Sequence, residues 1–224
     1  MENLANNAFV DTGSSSAYPR ENLEAARLEE LNLYQIFGTP PEPLFDDLAE
    51  VVRIRFDTPI SVISFVGETR VHFKAKIGTD LEYMEREDTF CNQTIRQDLP
   101  VVVQQALDHD IYKHCPVVSG PPYIQFYAGV PLITPKGHAI GAVSVVDTIP
   151  RSPSRSDYDF LYGVAKLTMS ALDMRKQSRE LIEMANRMKS ITKKLDEVSG
   201  GVDEESSVFL EKLRLQQQSE MSEG

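Results

Sequence analysis

The stretch from Gly120 to Pro150 constrains the fold of this chain more than any other. It contains two apolar runs, 123–133 and 138–147, that are rich in β-branched and aromatic residues and are separated by Thr-Pro-Lys-Gly, a sequence typical of a turn. The second run is almost continuously apolar, which favours a central strand covered on both faces. Gly129 and Gly141 interrupt the two runs, and glycine in a strand often marks a bulge or the close approach of another group. We therefore predict a β-hairpin that forms the floor of a pocket.

Hydrophobic periodicity predicts helices and further strands before the hairpin. Helices are expected over 23–35, 44–56 and 88–97, and strands over 60–66, 72–77 and 100–105. In the strand over 72–77, apolar residues alternate with Lys74 and Lys76, so we expect one face of this strand to be solvated with the lysines on it. An irregular loop is expected from Asp108 to Gly120.

Three stretches and their order resemble a GAF domain, the small-molecule sensor module of signalling proteins. They are TPISVISFVGETRVHFKAKIG, REDTFCNQTIRQDLPVVVQQALDH and PPYIQFYAGVPLITPKGHAIGAVSVVDTIPR. The resemblance covers roughly 23–172. It implies an α+β fold with a central, PAS-related antiparallel sheet of five to six strands and flanking helices. It identifies a class of module and no particular ligand.

The resemblance also implies where a ligand would bind. In GAF domains the helix that corresponds to 88–97 and the irregular segment after the next strand roof the cavity, so we expect a mostly apolar pocket with a few polar groups. The alternative is that these side chains simply pack on the sheet. Neighbours such as Phe126 and Tyr127 cannot both point inward. The candidate pocket residues are Phe65, Phe73, Phe90, Cys91, Ile95, Tyr112, Phe126 and Tyr127.

The loop from Asp108 to Cys115 gathers carboxylates, histidines and a thiol, which could in principle bind a metal or act as a nucleophile. No Cys-x2-Cys or His-x3-His spacing accompanies them. Adjacent His114 and Cys115 would point apart in an extended loop, whereas a working Cys–His pair needs converging side chains. We therefore predict neither a metal site nor catalytic residues.

Known chemistries of GAF relatives also match poorly. Cys91 is followed by Asn92 and Cys115 by Pro116, whereas bilin-attaching relatives carry Cys-His. The Asn-Lys dipeptide of cyclic-nucleotide-binding relatives is absent, and two cysteines fit poorly with the disulfide relay of free methionine sulfoxide reductases. The cofactor therefore remains unknown.

After a polar link at 151–157, a helix without a breaker is predicted to about Val198. Its second half carries an apolar seam at spacings of three and four, which predicts a coiled coil and a parallel homodimer. The alternative is a stripe that folds back on its own domain. Gly200-Gly201 is expected to end this helix. The seam residues are Leu181, Met184, Met188, Ile191, Leu195 and Val198.

The chain is thus divided by prediction into a flexible lead (1–20), a GAF domain (21–172), a coiled-coil extension (173–199) and a short helix with a polar tail (200–224). We recognise no sequence signature of a kinase, a nucleotide-binding loop or a nucleotide cyclase. From this we expect a sensor with a helical output and no enzyme attached.

A net charge of −11 opposes binding to nucleic acid or to an anionic membrane surface. The chain shows no transmembrane span or secretory signal, so a cytoplasmic protein with reduced Cys91 and Cys115 is expected. We expect a non-enzymatic regulatory module that binds a small molecule and relays a conformational change through the dimerising helix to a partner signalling protein. The alternatives are a thiol-dependent redox enzyme acting on a small molecule and a ligand-free dimerisation scaffold.

Overall fold

A computed structural model describes residues 20–222 of the chain. The fold is α+β, with one antiparallel sheet of six strands in the order β3-β2-β1-β6-β5-β4 and helices on both faces, as the sequence predicts. The strands are β1 (Ile60–Val66), β2 (Arg70–Ile77), β3 (Tyr83–Glu85), β4 (Val101–Val103), β5 (Phe126–Ile133) and β6 (Ala139–Asp147). The helices are α1 (Arg20–Tyr34), α2 (Pro43–Phe56), α3 (Phe90–Thr94), α4 (Pro116–Ser119) and α5 (Arg155–Ser222). The expected flexible lead lies outside the described residues, apart from Arg20 at the start of α1.

The predicted hairpin is confirmed as the centre of the sheet. β5 and β6 pair along their whole lengths, and β6 also pairs with β1. Every residue of β6 is buried, as expected for a strand that is covered on both faces. Gly137 makes the turn between β5 and β6 with a φ of +85°, a conformation that favours glycine.

The two faces of the sheet pack against different elements. On the first face, Phe65, Phe126 and Val143 join a core with α1, α2 and the first turns of α5. On the second face, Tyr127 and Val146 join a separate core with α3, α4 and the loops around them. Because neighbouring residues of a strand point to opposite faces, each strand contributes to both cores.

Lys74 does not face solvent as the alternating pattern predicts. The pairing of β1 with β2 shifts between Ile63 and Ser64, and Lys74 has no cross-strand partner there. Its side chain is fully buried. The ammonium donates to Glu42 at 2.7 Å, to Thr39 Oγ1 at 2.8 Å and to the carbonyl of Pro40. A β-bulge therefore reverses the expected orientation, and oxygen atoms compensate the buried charge.

Helix α5 also departs from prediction, because it continues through Gly200-Gly201 to Ser222. A glycine inside a helix costs roughly 1 kcal/mol relative to alanine, which weakens a long helix without ending it. The chain divides into two compact units at Asp173, so the first unit holds the sheet and the start of α5. None of the described helices could cross a membrane.

Candidate ligand-binding site

A cavity lies on the second face of the sheet, beside α3. Its volume is about 80 Å³, and it opens to solvent. Its walls are mostly apolar, which is the usual character of a small-molecule site. It is lined by Ile60, Val62, Phe73, Thr79, Leu81, Met84, Asp88, Thr89, Phe90, Cys91, Val117, Pro122, Ile124, Tyr127, Ser144 and Val146.

Strand register determines which side chains form the floor of this cavity. Ser144 lies in the middle of the sheet and is paired with Val62 on one side and Gly129 on the other. Two residues further along β6, Val146 is paired with Ile60 on one side and with Tyr127 on the other. Residues two apart on a strand share a face, so these positions form two adjacent rows beneath the cavity.

Gly129 provides the space that the Tyr127 side chain occupies. A Cβ atom at Gly129 would lie 2.1 Å from the Tyr127 hydroxyl oxygen, so the tyrosine lies along the strand over the glycine. The Tyr127 hydroxyl is 2.7 Å from Thr94 Oγ1, and its ring stacks on Phe90 with centroids 4.8 Å apart. Gly141 has a similar role, because a Cβ there would meet the Ser64 carbonyl oxygen at 2.1 Å. The expectation that these two glycines mark close approaches agrees with the structure.

Cys91 contributes a buried thiol to the wall. Ser64 Oγ donates to Cys91 Sγ at 3.3 Å, and the Tyr127 hydroxyl approaches the same sulfur at 3.9 Å. Burial raises the pKa of Cys91, because the low-dielectric surroundings disfavour the thiolate. Burial likewise raises the pKa of Tyr112, whose ring contacts Phe90, to about 12. These groups are therefore neutral at physiological pH.

Ser144 contributes a hydroxyl group to the floor. Its side chain is fully buried, and Oγ has no hydrogen-bond partner among the described residues. Ser144 faces the Cys91 thiol and opposes the rise in its pKa, but the two groups do not reach hydrogen-bond geometry. A buried hydroxyl without a partner is uncommon in proteins.

The mouth of the cavity carries its charge. Asp88 is the single ionisable acid or base among the lining residues apart from the neutral thiol and phenol. Its side chain is half-buried, and its backbone carbonyl accepts a hydrogen bond from Cys115 Sγ at 2.9 Å. No arginine, lysine or histidine belongs to the lining.

An ionic cluster supports the segment that leads into α3. The Arg86 guanidinium donates to Asn92 Oδ1 at 2.9 Å and to Glu24 at 2.6 Å, and Arg27 also pairs with Glu24 at 2.7 Å. Arg27 donates in addition to the carbonyl of Val66 at 2.7 Å. Burial alone would raise the pKa of Glu24, but the hydrogen bonds and charges of Arg27 and Arg86 lower it to about 2. Glu24 and Arg86 are 62 residues apart in the sequence, and no sequence signal predicts that they meet.

The structure brings four of the eight predicted pocket residues to the cavity: Phe73, Phe90, Cys91 and Tyr127. Ile95 and Tyr112 belong to the same core without lining the cavity. The prediction is wrong for Phe65 and Phe126, which lie on the opposite face, because their neighbours Ser64 and Tyr127 point toward α3. Sequence reasoning missed Ser144 and Asp88. The alternation along β6 could have indicated Ser144, once Val143 and Val145 were assigned to the first core.

Charged and histidine side chains of the loop from Asp108 to Cys115 make contacts within the loop. Lys113 pairs with Asp110 at 2.8 Å, and the rings of His109 and Tyr112 lie 4.6 Å apart. Within the part of the chain that the structure describes, no three histidine, cysteine or acidic side chains converge as metal ligands.

The chain is similar in sequence to part of a curated relative. The chain is 32% identical over 157 residues to a protein of Pseudomonas aeruginosa that is named a cyclic di-GMP phosphodiesterase. The match includes 69% of this chain and 26% of the relative, so the chain spans about a quarter of that protein's length. The expectation of a non-enzymatic protein is corrected by this finding, since the relative is named an enzyme.

Solved structures with the same fold also include an enzyme. The free methionine-R-sulfoxide reductase from Neisseria meningitidis, in complex with its substrate, aligns with a TM-score of 0.52 and 16% identity, and the alignment covers 73% of this chain and 96% of the reductase. The GAF domain of a phosphoenolpyruvate-protein phosphotransferase from Coxiella burnetii aligns with a TM-score of 0.52 and 12% identity, covering 73% and 99% of the two chains. At these identities the likeness concerns the fold.

The family itself follows from the sequence match and agrees with the sheet order and the helices around it. The GAF domain model matches residues 40–172, which is more than half of the chain. This chain belongs to the GAF domain family.

Proposed function

We propose that this chain senses a small molecule, which binds in the cavity beside α3 and thereby regulates the breakdown of cyclic di-GMP. The observation that carries the proposal is the cavity itself, which has mostly apolar walls, a few buried polar groups and an opening to solvent. Ligand sites usually have this composition. The link to cyclic di-GMP comes from the relative named a phosphodiesterase, which shares about a quarter of its length with this chain.

Helix α5 is the proposed route from the cavity domain to the output. The helix begins in the domain that holds the cavity and continues to Ser222. Five described seam residues are exposed, and the side chain of Val198 lies outside the described residues. We propose that a second copy of the chain covers this seam. The exposed seam residues are Leu181, Met184, Met188, Ile191 and Leu195.

The energetics are compatible with a dimer through the seam. Burying one such side chain completely contributes about 1.5 to 3 kcal/mol. Association costs about 4 to 15 kcal/mol, so several seam residues on each copy must be buried to offset it. Met184 and Met188 are flexible side chains that repack easily. A seam of this kind suits a helix that shifts when a ligand binds.

A variant that fills the cavity tests the sensing role. Val146 lines the cavity and is buried, so Val146→Phe should occupy the space without exposing apolar surface. Val51→Phe, at an exposed position on α2, is the control. We expect native mass spectrometry of the protein from its own host to show a retained small molecule in the wild type and in Val51→Phe, and none in Val146→Phe. Cyclic di-GMP levels in the host should change with Val146→Phe alone.

The proposal fails if the folded Val146→Phe variant retains the same small molecule and leaves cyclic di-GMP unchanged. It also fails if the wild-type protein carries no small molecule and binds none from a host metabolite extract.

A second candidate function is thiol-dependent redox chemistry on the bound molecule, which the position of Cys91 in the cavity wall favours. The raised pKa of Cys91 weakens this candidate, because the thiolate is the reactive form. Replacing Cys91 and Cys115 with serine separates the two functions. A sensor should keep its ligand and its effect on cyclic di-GMP, whereas a thiol enzyme should lose all turnover.

A further inference from the structure

We infer that the molecule bound beside α3 is small and uncharged, about the size of a single ring, and hydrogen-bonds to the Ser144 hydroxyl. The inference rests on the proposed function and specifies the chemical class of its ligand. Three independent properties of the cavity support it: its volume, its one unpartnered buried hydroxyl, and the sign of its charge.

The volume limits the size of the ligand. An apolar cavity of about 150 Å³ in another protein binds benzene. This cavity is smaller, at about 80 Å³, and it opens to solvent. A single ring that extends partly through the opening fits this description. A cyclic dinucleotide, with two bases and two phosphates, would be too large for a cavity of this size.

The Ser144 hydroxyl is the reason for expecting a polar atom on the ligand. This hydroxyl lies in the cavity floor, is fully buried and has no hydrogen-bond partner among the described residues. The cross-strand neighbours Val62 and Gly129 carry no polar side-chain atom, and the Cys91 thiol that Ser144 faces does not reach hydrogen-bond geometry with it. Because buried hydroxyls almost always have a partner, a ligand atom is the group that would complete this site.

The charge of the lining argues against an anion. The lining includes the carboxyl group of Asp88, and it contains no cationic side chain that could compensate a phosphate or a carboxylate. Burying an anion without a positive partner is strongly unfavourable. Cyclic di-GMP would therefore be a molecule whose level the chain regulates, and a different, neutral molecule would occupy this cavity.

Three probes of similar ring size separate these properties: phenol, which is neutral and polar; toluene, which is neutral and apolar; and benzoate, which is anionic. Affinities for the full chain are measured by isothermal titration calorimetry, and the site is identified from methyl NMR shifts of Val62 and Val146. We expect phenol to bind about tenfold more tightly than toluene, which corresponds to one net hydrogen bond. Benzoate and cyclic di-GMP should neither bind at the cavity nor displace phenol.

Two serine variants provide a matched comparison. Ser61 and Ser144 are both fully buried, and each has an unpartnered hydroxyl, but Ser61 precedes the cavity residue Val62 and is not part of the lining. Ser144→Ala should lower the affinity for phenol to that for toluene and leave toluene unaffected, whereas Ser61→Ala should change neither. Removing a hydroxyl that has no partner should not unfold the domain, and a thermal melt checks this.

The inference is overturned if phenol and toluene bind equally, if Ser144→Ala leaves phenol binding unchanged, or if benzoate or cyclic di-GMP competes for the cavity. It is also overturned if none of the neutral probes binds. In that case a retained molecule that is lost in Val146→Phe would still support sensing by the cavity. Absence of both probe binding and a retained molecule would reject the inference and the proposed function together.

Discussion

Tyr127 depends on the missing side chain of Gly129, and Gly129→Ala tests this dependence. The added Cβ would clash with the tyrosine hydroxyl and displace it from Thr94. We expect the free energy of unfolding to fall by about 1 to 3 kcal/mol, the usual range for overpacking. Gly163→Ala is the control, because a Cβ there meets no atom within 4 Å and alanine favours a helix by roughly 0.5 to 1 kcal/mol. Urea denaturation should therefore show opposite signs for the two variants.

Glu24 gives the domain a defined sensitivity to acid. Its pKa in the folded protein is about 2, below the ordinary value of 4.5, so its interactions stabilise the fold above pH 4.5. This stabilisation is lost as the pH falls from about 4.5 toward 2. Urea denaturation across this range should show a smaller loss of stability for Glu24→Gln than for the wild type. Glu50→Gln, which removes a solvent-accessible pair with Arg53, should resemble the wild type more closely. Parallel curves for wild type and Glu24→Gln would contradict the role of the cluster.

At the residue scale, sequence analysis predicted structural features best where a residue type has a marked local preference, as glycine has in a strand. The glycines in the hairpin were expected to mark either a bulge or a close approach, and the structure places Tyr127 and the Ser64 carbonyl next to them. The prediction failed for Phe65 and Phe126 because large aromatic side chains fit either core. Which core they join depends on which face of the sheet their position in the strand points to. Ser144 was missed because a small residue in an apolar strand gives no signal until its neighbours are assigned.

At the scale of elements, Lys74 joins β2 to the segment before α2. Lys74→Ala would remove the buried ammonium and leave Glu42, Thr39 and a cavity behind, so we expect a loss of about 3 kcal/mol in unfolding free energy. Lys74→Met should lose less, because methionine fills similar space without a charge. Lys76→Ala is the control on the same strand, since its ammonium contacts only the carbonyl of Asp80 at the surface. Equal losses for Lys74→Ala and Lys76→Ala in urea denaturation would show that the buried contacts contribute little.

The existence and type of the elements were largely predictable, because hydrophobic periodicity is a local signal. The bulge at Lys74 was not predictable, since it depends on how β1 and β2 pair, and the sequence alone does not give the register of two strands. The continuation of α5 through Gly200-Gly201 was also missed. The helix propensity of a long segment is the sum over its residues. Two glycines lower this sum, but the remaining residues still favour a helix.

At the scale of the whole molecule, the seam on α5 predicts self-association. Changing Met188 and Leu195 together to aspartate places charges in the proposed dimer contact and should give a folded monomer. Changing Lys189 and Lys194 to aspartate introduces the same residue off the seam and should leave a dimer. Sedimentation velocity at micromolar concentration measures both. A wild-type chain that is already a monomer under these conditions would reject the dimer and the relay built on it.

The separation of the sheet into two differently packed faces has an evolutionary consequence. The face toward α1 and α2 is filled by close-packed side chains, whereas the face toward α3 contains a cavity. Substitutions at positions that line the cavity therefore alter the shape and polarity of an existing space, and they leave the core on the opposite face intact. Descendants of one such domain can acquire new ligand preferences through a few changes at positions such as Val62, Ser144 and Val146, without first having to rebuild a stable fold.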